Sequence, residues 1–481
     1  MSQTPKAVGN YRWTICSLLF FATTINYLDR QVLSLTWSDF IAPEFHWTNN
    51  DYGNITALFS IFYAVSLLFA GKFVDWMDTK KGFLWAIGVW SVGACLHAFA
   101  GIATSGIITG NWFVGFEGAK EAIAAVNDTG LVISVSVTLF IFARFVLALG
   151  EAGNFPAAIK TTAEYFPKKD RAFSTSIFNA GATVGALAAP ITIPFIAKAY
   201  GWEMAFIIIG ALGFVWMGFW VFMYDKPEKH AKVSAAELEY IQQDVIADSK
   251  IAGYVPETTT RVTFKDCFRY KQTWAFAFGK FMTDGVWWFF LFWTPAYLSS
   301  VYGMDSTQAA FPLFVLYMIT LLSIIGGWLP TYFVEKKGMN PYEGRMKAML
   351  IFAFFPLLAL VAQPLGHISY WLPVIIIGIA GAAHQAWSAN IFTTVGDMFP
   401  KKAIATITGI GGLAGGIGST VINKGSGVLF DYSKNTNMDF MGFQGIEAGY
   451  FIIFSICAVC YLIGWTVMKS LVPKYAPITD L

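Results

Sequence analysis

Charge is scarce in this chain: Asp, Glu, Lys and Arg make up 13% of 481 residues, against 56% hydrophobic. A soluble domain carries about 25% charge, so a water-soluble globule is excluded and an integral membrane protein remains. Cysteine is nearly missing as well. Cys16, Cys95, Cys267, Cys457 and Cys460 have neither metal-ligand nor disulfide-framework spacing, and four of them fall in apolar runs as small core residues. An excess of one sign of charge is also lacking, and a net charge of +2 offers nothing to nucleic acid. No nucleophile–base pair, cofactor motif, metal cluster or long polar domain is evident. No catalytic residue, metal or cofactor is therefore expected, and the chain does not read as an enzyme or a sensor. The first apolar run is of full spanning length and has no small-residue cleavage site, so it is expected to stay as a span.

What is present is apolar length. Runs of the roughly 20 residues that a hydrocarbon core needs occur near 12–35, 53–74, 82–104, 132–155, 171–197 and 204–224. They resume near 274–298, 309–333, 346–363, 370–395, 402–429 and 447–470. Phe, Trp and Tyr reach 17%, in keeping with helices in lipid and aromatic belts at the headgroups. The expected fold is an all-α membrane protein of twelve transmembrane helices in two six-helix halves. The domains are 1–224, with an outer insertion over about 106–130; a linker, 225–273; and 274–481. Lys80, Lys81, Lys168, Lys169, Arg171, Lys336, Lys337, Arg345, Lys347, Lys401 and Lys402 fall in loops on one side, and only Lys120, Lys198, Lys424 and Lys434 on the other. The positive-inside rule then puts both termini in the cytoplasm. In the linker, Ser234 followed by Glu237 has the form of a helix cap, so a short amphipathic helix is expected there, an unstructured tether being the alternative.

Two markers repeat. Gly71 with Lys80-Lys81-Gly82 recurs as Gly327 with Lys336-Lys337-Gly338, and Phe166-Pro167-Lys168-Lys169 recurs as Phe399-Pro400-Lys401-Lys402. Parallel six-helix repeats are the architecture of transporters with a midplane site between the halves. Span five holds Gly181 and Gly185, and span eleven holds Gly411, Gly412, Gly415, Gly416 and Gly418, the small-residue pattern of close helix crossings.

Ionisable residues at membrane depth cost about 2.5–3.5 kcal/mol each and mark function. Here they are Asp29 and Arg30 in span one, Arg144 and Glu151 in span four, and Lys280 and Asp284 in span seven. Arg144 and Glu151 are two turns apart on one face. A guanidinium offers a planar fork to a carboxylate, which makes Arg144 the candidate clamp for a small organic anion; an ion pair with Asp29 or Glu151 is the other reading. Asp29 and Glu151, carboxyls out of water, are the candidates for carrying a coupled proton. Lys280 and Asp284 have the spacing of a helical ion pair. Asp75, beside Lys80 and Lys81, reads as a gate or interhelix contact. His384 falls where the second repeat offset places Glu151, either facing the same cavity or satisfied in the core. Gln385, Asn390, Asn179 and Asn154 suit sugar hydroxyls or interhelical hydrogen bonds equally. Tyr27, Tyr63, Trp287 and Trp288 are candidates to line a sugar-sized cavity.

Gly71-Lys-Phe-Val-Asp75 with Lys80-Lys81 resembles the loop motif of the major facilitator superfamily. Asn26-Tyr-Leu-Asp29-Arg30, with Arg144, Gly150-Glu151-Ala152 and Phe155-Pro156, is similar to its anion:cation symporters, the group of sialic acid, galactonate and hexuronate transporters. Gly279-Lys-Phe-Met-Thr-Asp284 running into Trp287-Trp288, and Ala383-His384-Gln385-Ala386 ahead of Asp397-Met-Phe-Pro400, look like the bacterial hexuronate transporters; Gly285-Val286 departs from a proline-containing pair. The resemblance implies carboxylate binding by Arg144, proton coupling by Asp29 and Glu151, and further cavity positions at Tyr27, Arg30 and Tyr63. Substrate contacts are also expected at Lys280, His384, Gln385 and Asn390. The implied activity is proton-coupled import of glucuronate or galacturonate by a monomer in a bacterial inner membrane. Transport of another organic acid, or anion exchange, is the rival.

Overall fold

The computed structural model describes residues 9–249, 262–479 and 481. Part of the expected linker, residues 250–261, lies outside them, as do the side chains of Lys168, Lys169, Lys401 and Lys402. Twelve helical passes run through the described residues. The first six are Tyr11–Thr36, Asn49–Met77, Thr79–Ala98 with Ala100–Thr109, Thr129–Glu151 with Asn154–Tyr165, Lys168–Tyr200 and Trp202–Met223. The second six are Lys271–Tyr302, Ser306–Lys337, Pro341–Gly366, Trp371–Met398, Lys401–Asn435 and Ile446–Leu471. We number them spans 1 to 12.

Several spans start at a residue whose side chain satisfies free helix amides. Thr48 and Asp51 form a reciprocal cap on span 2, Asp305 and Gln308 do the same on span 8, and Asp128 and Asn340 cap spans 4 and 9. Spans 5 and 11 begin alike. Phe166 and Phe399 are extended, and Pro167 (φ −63°, ψ 157°) and Pro400 (φ −63°, ψ 149°) lead into the next helix, so the repeat seen in the residues is also one of backbone geometry. Four spans are less regular than their apolar runs suggest, span 8 passing through a 3-10 segment over Leu321–Ile324. Span 3 bends by 54° near Phe99. Span 4 breaks at Ala152-Gly153, where Pro156 has no N–H to return to Ala152. Span 9 tightens to a 3-10 segment over Phe355–Val361, which contains Pro356.

Among the described residues, eight helices are long and apolar enough to cross a membrane on composition alone, or nine with the bent third span. Spans 1, 7 and 11 fall short. They carry Asp29 and Arg30, Lys280 and Asp284, and the glycine-rich stretch, and they pack at the centre of the molecule, span 1 against span 5 and span 11 against spans 2 and 7. Small residues permit this: Gly181 lies against the Phe20 carbonyl and Gly418 against that of Phe281, with no room for a Cβ.

The insertion forms a helix, Gly115–Ala124, that buries Ala119 and Ile123 and pairs Lys120 with Glu203 at the start of span 6 (3.2 Å). In the linker, Ser234 Oγ accepts from the Glu237 amide (3.1 Å) at the start of the helix Ala235–Ser249. The buried Glu237 carboxylate in turn accepts from the Arg12 amide (3.0 Å) and pairs with its guanidinium (3.2 Å). A two-residue hairpin, Asp439–Phe440 with Phe443–Gln444, joins spans 11 and 12.

Candidate functional site

Span 1 presents Asp29 and Arg30 to span 4, which brings Arg144 and Glu151, and all four are buried. Arg30 Nε (3.0 Å) and Nη2 (2.8 Å) both donate to Oε2 of Glu151. The Arg30 guanidinium is enclosed by rings, with Tyr63 at 4.6 Å, Trp288 at 5.0 Å, Tyr27 at 5.1 Å and Phe59 at 5.9 Å. Tyr27 and Tyr63, expected to line the cavity, thus serve the arginine beside it, and Trp288 reaches across from the second half. Such cation–π contacts strengthen when water is excluded.

Arg144 has a different environment. It lies 5.1 Å from the Phe59 ring and feels Glu151 and Asp29, yet among the described residues no carboxylate approaches within 4.0 Å and its Nη1 has no hydrogen-bond partner. The ion-pair reading of Arg144 therefore does not hold in this structure; Glu151 has gone to Arg30. Both side-chain polar atoms of Asn26 and Oε1 of Glu151 are likewise buried without partners, and the buried Asp29 carboxylate has Trp90 Nε1 as its neighbour without a well-formed hydrogen bond. A buried polar group left unpaired costs about 1–3 kcal/mol. These atoms and Nη1 of Arg144 leave several buried polar groups of the first half without a hydrogen bond.

The second half adds a separate group. Lys280 Nζ pairs with Asp284 Oδ2 at 2.7 Å, as the four-residue spacing predicts, and lies 4.1 Å from the Phe392 ring. His384 Nδ1 is 2.7 Å from the Tyr461 hydroxyl, and its ring stacks on Trp287 at 5.4 Å and 2°. His384 is thus both satisfied and beside Lys280, which acts on it electrostatically. Asn390 donates from Nδ2 to the carbonyls of Gly326 (2.9 Å) and Ala386 (2.8 Å), a helix-joining role that leaves only Oδ1 for a ligand. Gln385 is half-buried and, among the described residues, makes no side-chain hydrogen bond. Asn154 donates to Thr23 Oγ1 (3.4 Å) within the first half, and Asn179 is exposed. Asp75 is far from these groups in the fold; it pairs with Lys160 of span 4 at 2.9 Å, at the lysine-rich end.

At the lysine-poor end the two halves are tied together. The Asp431 carboxylate in span 11 accepts from the Asn49 amide (3.0 Å), Asn49 Nδ2 (2.9 Å) and the Asn50 amide (2.7 Å) at the start of span 2. Lys424 donates to Asn50 and to Asn54 Oδ1 (2.6 Å), and Lys198 pairs with Asp305 at 3.7 Å. Asp39, in a π-helical turn Trp37–Ile41 after span 1, accepts from the Ser306 amide. Toward the middle, Ser60 and Ser419 hydroxyls meet at 2.9 Å.

Residue patterns did not single out Phe59, Trp90, Phe392 or Tyr461, because an aromatic in an apolar helix has no distinguishing mark. Asn26 had one: it lies three residues before Asp29, on the same helical face. Asp431 and Asp39 sit near helix ends, and Lys424 about three turns before one, where a polar residue is unremarkable without its partner.

The chain matches the family model described as Major Facilitator Superfamily over residues 19–422. It is 26% identical over 474 residues to the hexuronate transporter of Escherichia coli (strain K12), covering 97% of this chain and 96% of that protein. With the galacturonate transporter of Dickeya chrysanthemi it shares 26% identity over 334 residues, 69% of this chain and 85% of the relative. Among solved structures, a bacterial homolog of the human lysosomal transporter Spinster, in an inward-facing and unoccupied conformation, superposes with a TM-score of 0.69 at 17% identity, covering 99% of this chain and 100% of the other. With twelve helices in two halves, charges at their junction and a family match over most of its length, the chain belongs to the Major Facilitator Superfamily of membrane transporters.

Proposed function

We propose that this protein imports a hexuronate, such as glucuronate or galacturonate, together with protons, by alternating access across a bacterial inner membrane. The observation that carries the reading is Arg144: a buried guanidinium with no carboxylate within 4.0 Å among the described residues, acted on by the nearby Asp29 carboxylate, which lies against Trp90. A charge held this way is strongly unfavourable unless an anion visits it. The relatives named above transport sugar acids, and the neutral polar groups around Arg144 suit hydroxyls.

Arg144 binds the sugar carboxylate. Asn26, Gln385 and the free oxygen of Asn390 meet hydroxyls, and Tyr27, Tyr63 and Trp288 hold Arg30 in place against the ring. Asp29 takes the proton that offsets the arriving charge. Glu151 takes a second role: protonation frees Arg30, and deprotonation returns Arg30 to Glu151 and weakens the hold on the substrate. Lys280 and His384 form the opposite wall. The lysine-rich end faces the cytoplasm with both termini, Asp75 and Lys160 steady that end, and the protein works as a monomer.

Labelled glucuronate uptake into proteoliposomes, with and without an inward proton gradient, tests this. Wild type is expected to accumulate glucuronate several-fold when the gradient is imposed, and Arg144→Ala to lose uptake. Arg144→Ala with normal uptake would refute the clamp, and gradient-independent uptake driven by internal anion would replace symport by exchange.

A further inference from the structure

Lys280 belongs to the wall opposite Arg144, and there it is paired with Asp284, whose carboxylate has no role in the binding or proton coupling proposed above. Ion pairs at membrane depth are costly, and this one is buried: side-chain exposure is 5% for Lys280 and 15% for Asp284. Its position is informative. Trp288, Asp284 and Lys280 lie four residues apart along span 7, one stripe of the helix. Trp288 reaches Arg30 of the first half at 5.0 Å, so the stripe faces the junction of the halves. The Lys280 ammonium is drawn up level with Asp284, about 6 Å of helix rise from Trp288. Gly415 of span 11 leaves the space that the Asp284 carboxylate fills; a Cβ there would overlap it.

The charges around the junction balance. Arg30, Arg144 and Lys280 stand against Asp29, Glu151 and Asp284. The other titratable groups facing the pair are His384 and Tyr461, which hydrogen-bond to each other rather than to either charge. Without Asp284 the second wall would offer a free ammonium to the far end of the substrate.

We propose that Asp284 is a specificity-determining residue: by occupying Lys280 at 2.7 Å it cancels that cation and restricts the cargo to sugar acids with a carboxylate at one end only. An aldarate, with carboxylates at both ends, brings a second negative charge that the wall cannot meet, since a like charge close to Asp284 is strongly disfavoured in a dry site. The inference rests on the hexuronate reading above and adds the basis of its selectivity.

The test is competition of labelled glucuronate uptake by unlabelled D-glucarate in proteoliposomes. In wild type, glucarate is expected to compete at least tenfold more weakly than unlabelled glucuronate. In Asp284→Asn, the half-inhibitory glucarate concentration is expected to fall tenfold or more. In Lys280→Gln/Asp284→Asn, which removes both charges, the glucuronate uptake that remains is expected to show no gain in glucarate competition. Equal competition by glucarate in wild type overturns the proposal whether or not a variant folds. So does an Asp284→Asn variant that takes up glucuronate with unchanged glucarate competition, or a double variant that gains glucarate. Wild type that takes up no glucuronate under any gradient overturns the hexuronate reading itself, an outcome distinct from a glucuronate transporter with the wrong selectivity.

Discussion

Removing the Asp431 carboxylate should open the lysine-poor end of the transporter. In this conformation Asp431 joins the halves by accepting three hydrogen bonds, two of them from the first amides of span 2, where a helix has unsatisfied donors and favours negative charge. Hydrogen bonds to a charged group contribute about 1.5–3 kcal/mol. Partial exposure of Asn49, Asn50 and Asp431 reduces that through solvent screening, to about 1–2 kcal/mol. Span 2 and span 11 separate when this end opens, so the whole loss falls on the closed state. A bias of about 1–2 kcal/mol is a factor of roughly 5–30 in population. Ser419 is fully buried against Ser60 beneath the latch and suits a reporter cysteine. In whole cells, a membrane-impermeant maleimide should label Ser419→Cys about tenfold faster when Asp431→Ala is added. Equal labelling rates in the two backgrounds would refute the idea that Asp431 holds this end closed.

Two further outcomes concern stability. Glu44 lies between spans 1 and 2, where burial pushes its carboxyl up to about 7 from 4.5 despite the hydrogen bond from Trp202 Nε1 (2.8 Å). Between those values the folded chain keeps a proton that the unfolded chain has lost, so melting temperature should fall as pH rises from about 4.5 to about 7. Glu44→Gln should flatten that slope, and an unchanged slope in the variant would contradict the assignment. Gly150→Ala should lower the melting temperature in detergent, at a cost of about 1–3 kcal/mol, because its Cβ would sit 2.6 Å from the Ala86 carbonyl of span 3; Gly71→Ala, with nothing within 4 Å, is the neutral comparison.

Local features of the chain are legible in the residues alone. Span positions follow from apolar run length, the Lys280–Asp284 pair from a spacing that a helix converts directly into contact, and the Ser234–Glu237 cap from its residue pattern. The partner of Glu151 is not legible in this way. Spacing places Arg144 and Glu151 on one face of span 4, but which arginine reaches Glu151 is decided by how span 1 crosses span 4. Arg30 wins because Tyr27, Tyr63, Phe59 and Trp288 form a pocket of rings for its guanidinium. No periodicity within one helix carries that information. The same limit hides the Asp431 latch, whose donors are more than 380 residues away in the chain.

Span 4, which carries Arg144 and Glu151, is strongly apolar, whereas three other helices with polar or glycine-rich junction groups are the weakest as apolar spans. Spans 1, 7 and 11 would each be costly alone in lipid, since every buried charge or exposed carbonyl there lacks water. Packed against one another and against span 2 they meet polar partners: Ser60 on span 2 meets Ser419 on span 11, Trp288 on span 7 covers Arg30 on span 1, and Gly415 on span 11 makes room for Asp284 on span 7. Mutual satisfaction of this kind holds only while the halves are in register. A transporter must break and remake that register in each cycle, so the contacts that join the halves have to be few, polar and exchangeable. Among the described residues Arg144 is the buried cation left outside this scheme, and on the proposed function the free energy of pairing it is what an incoming carboxylate supplies to drive the change.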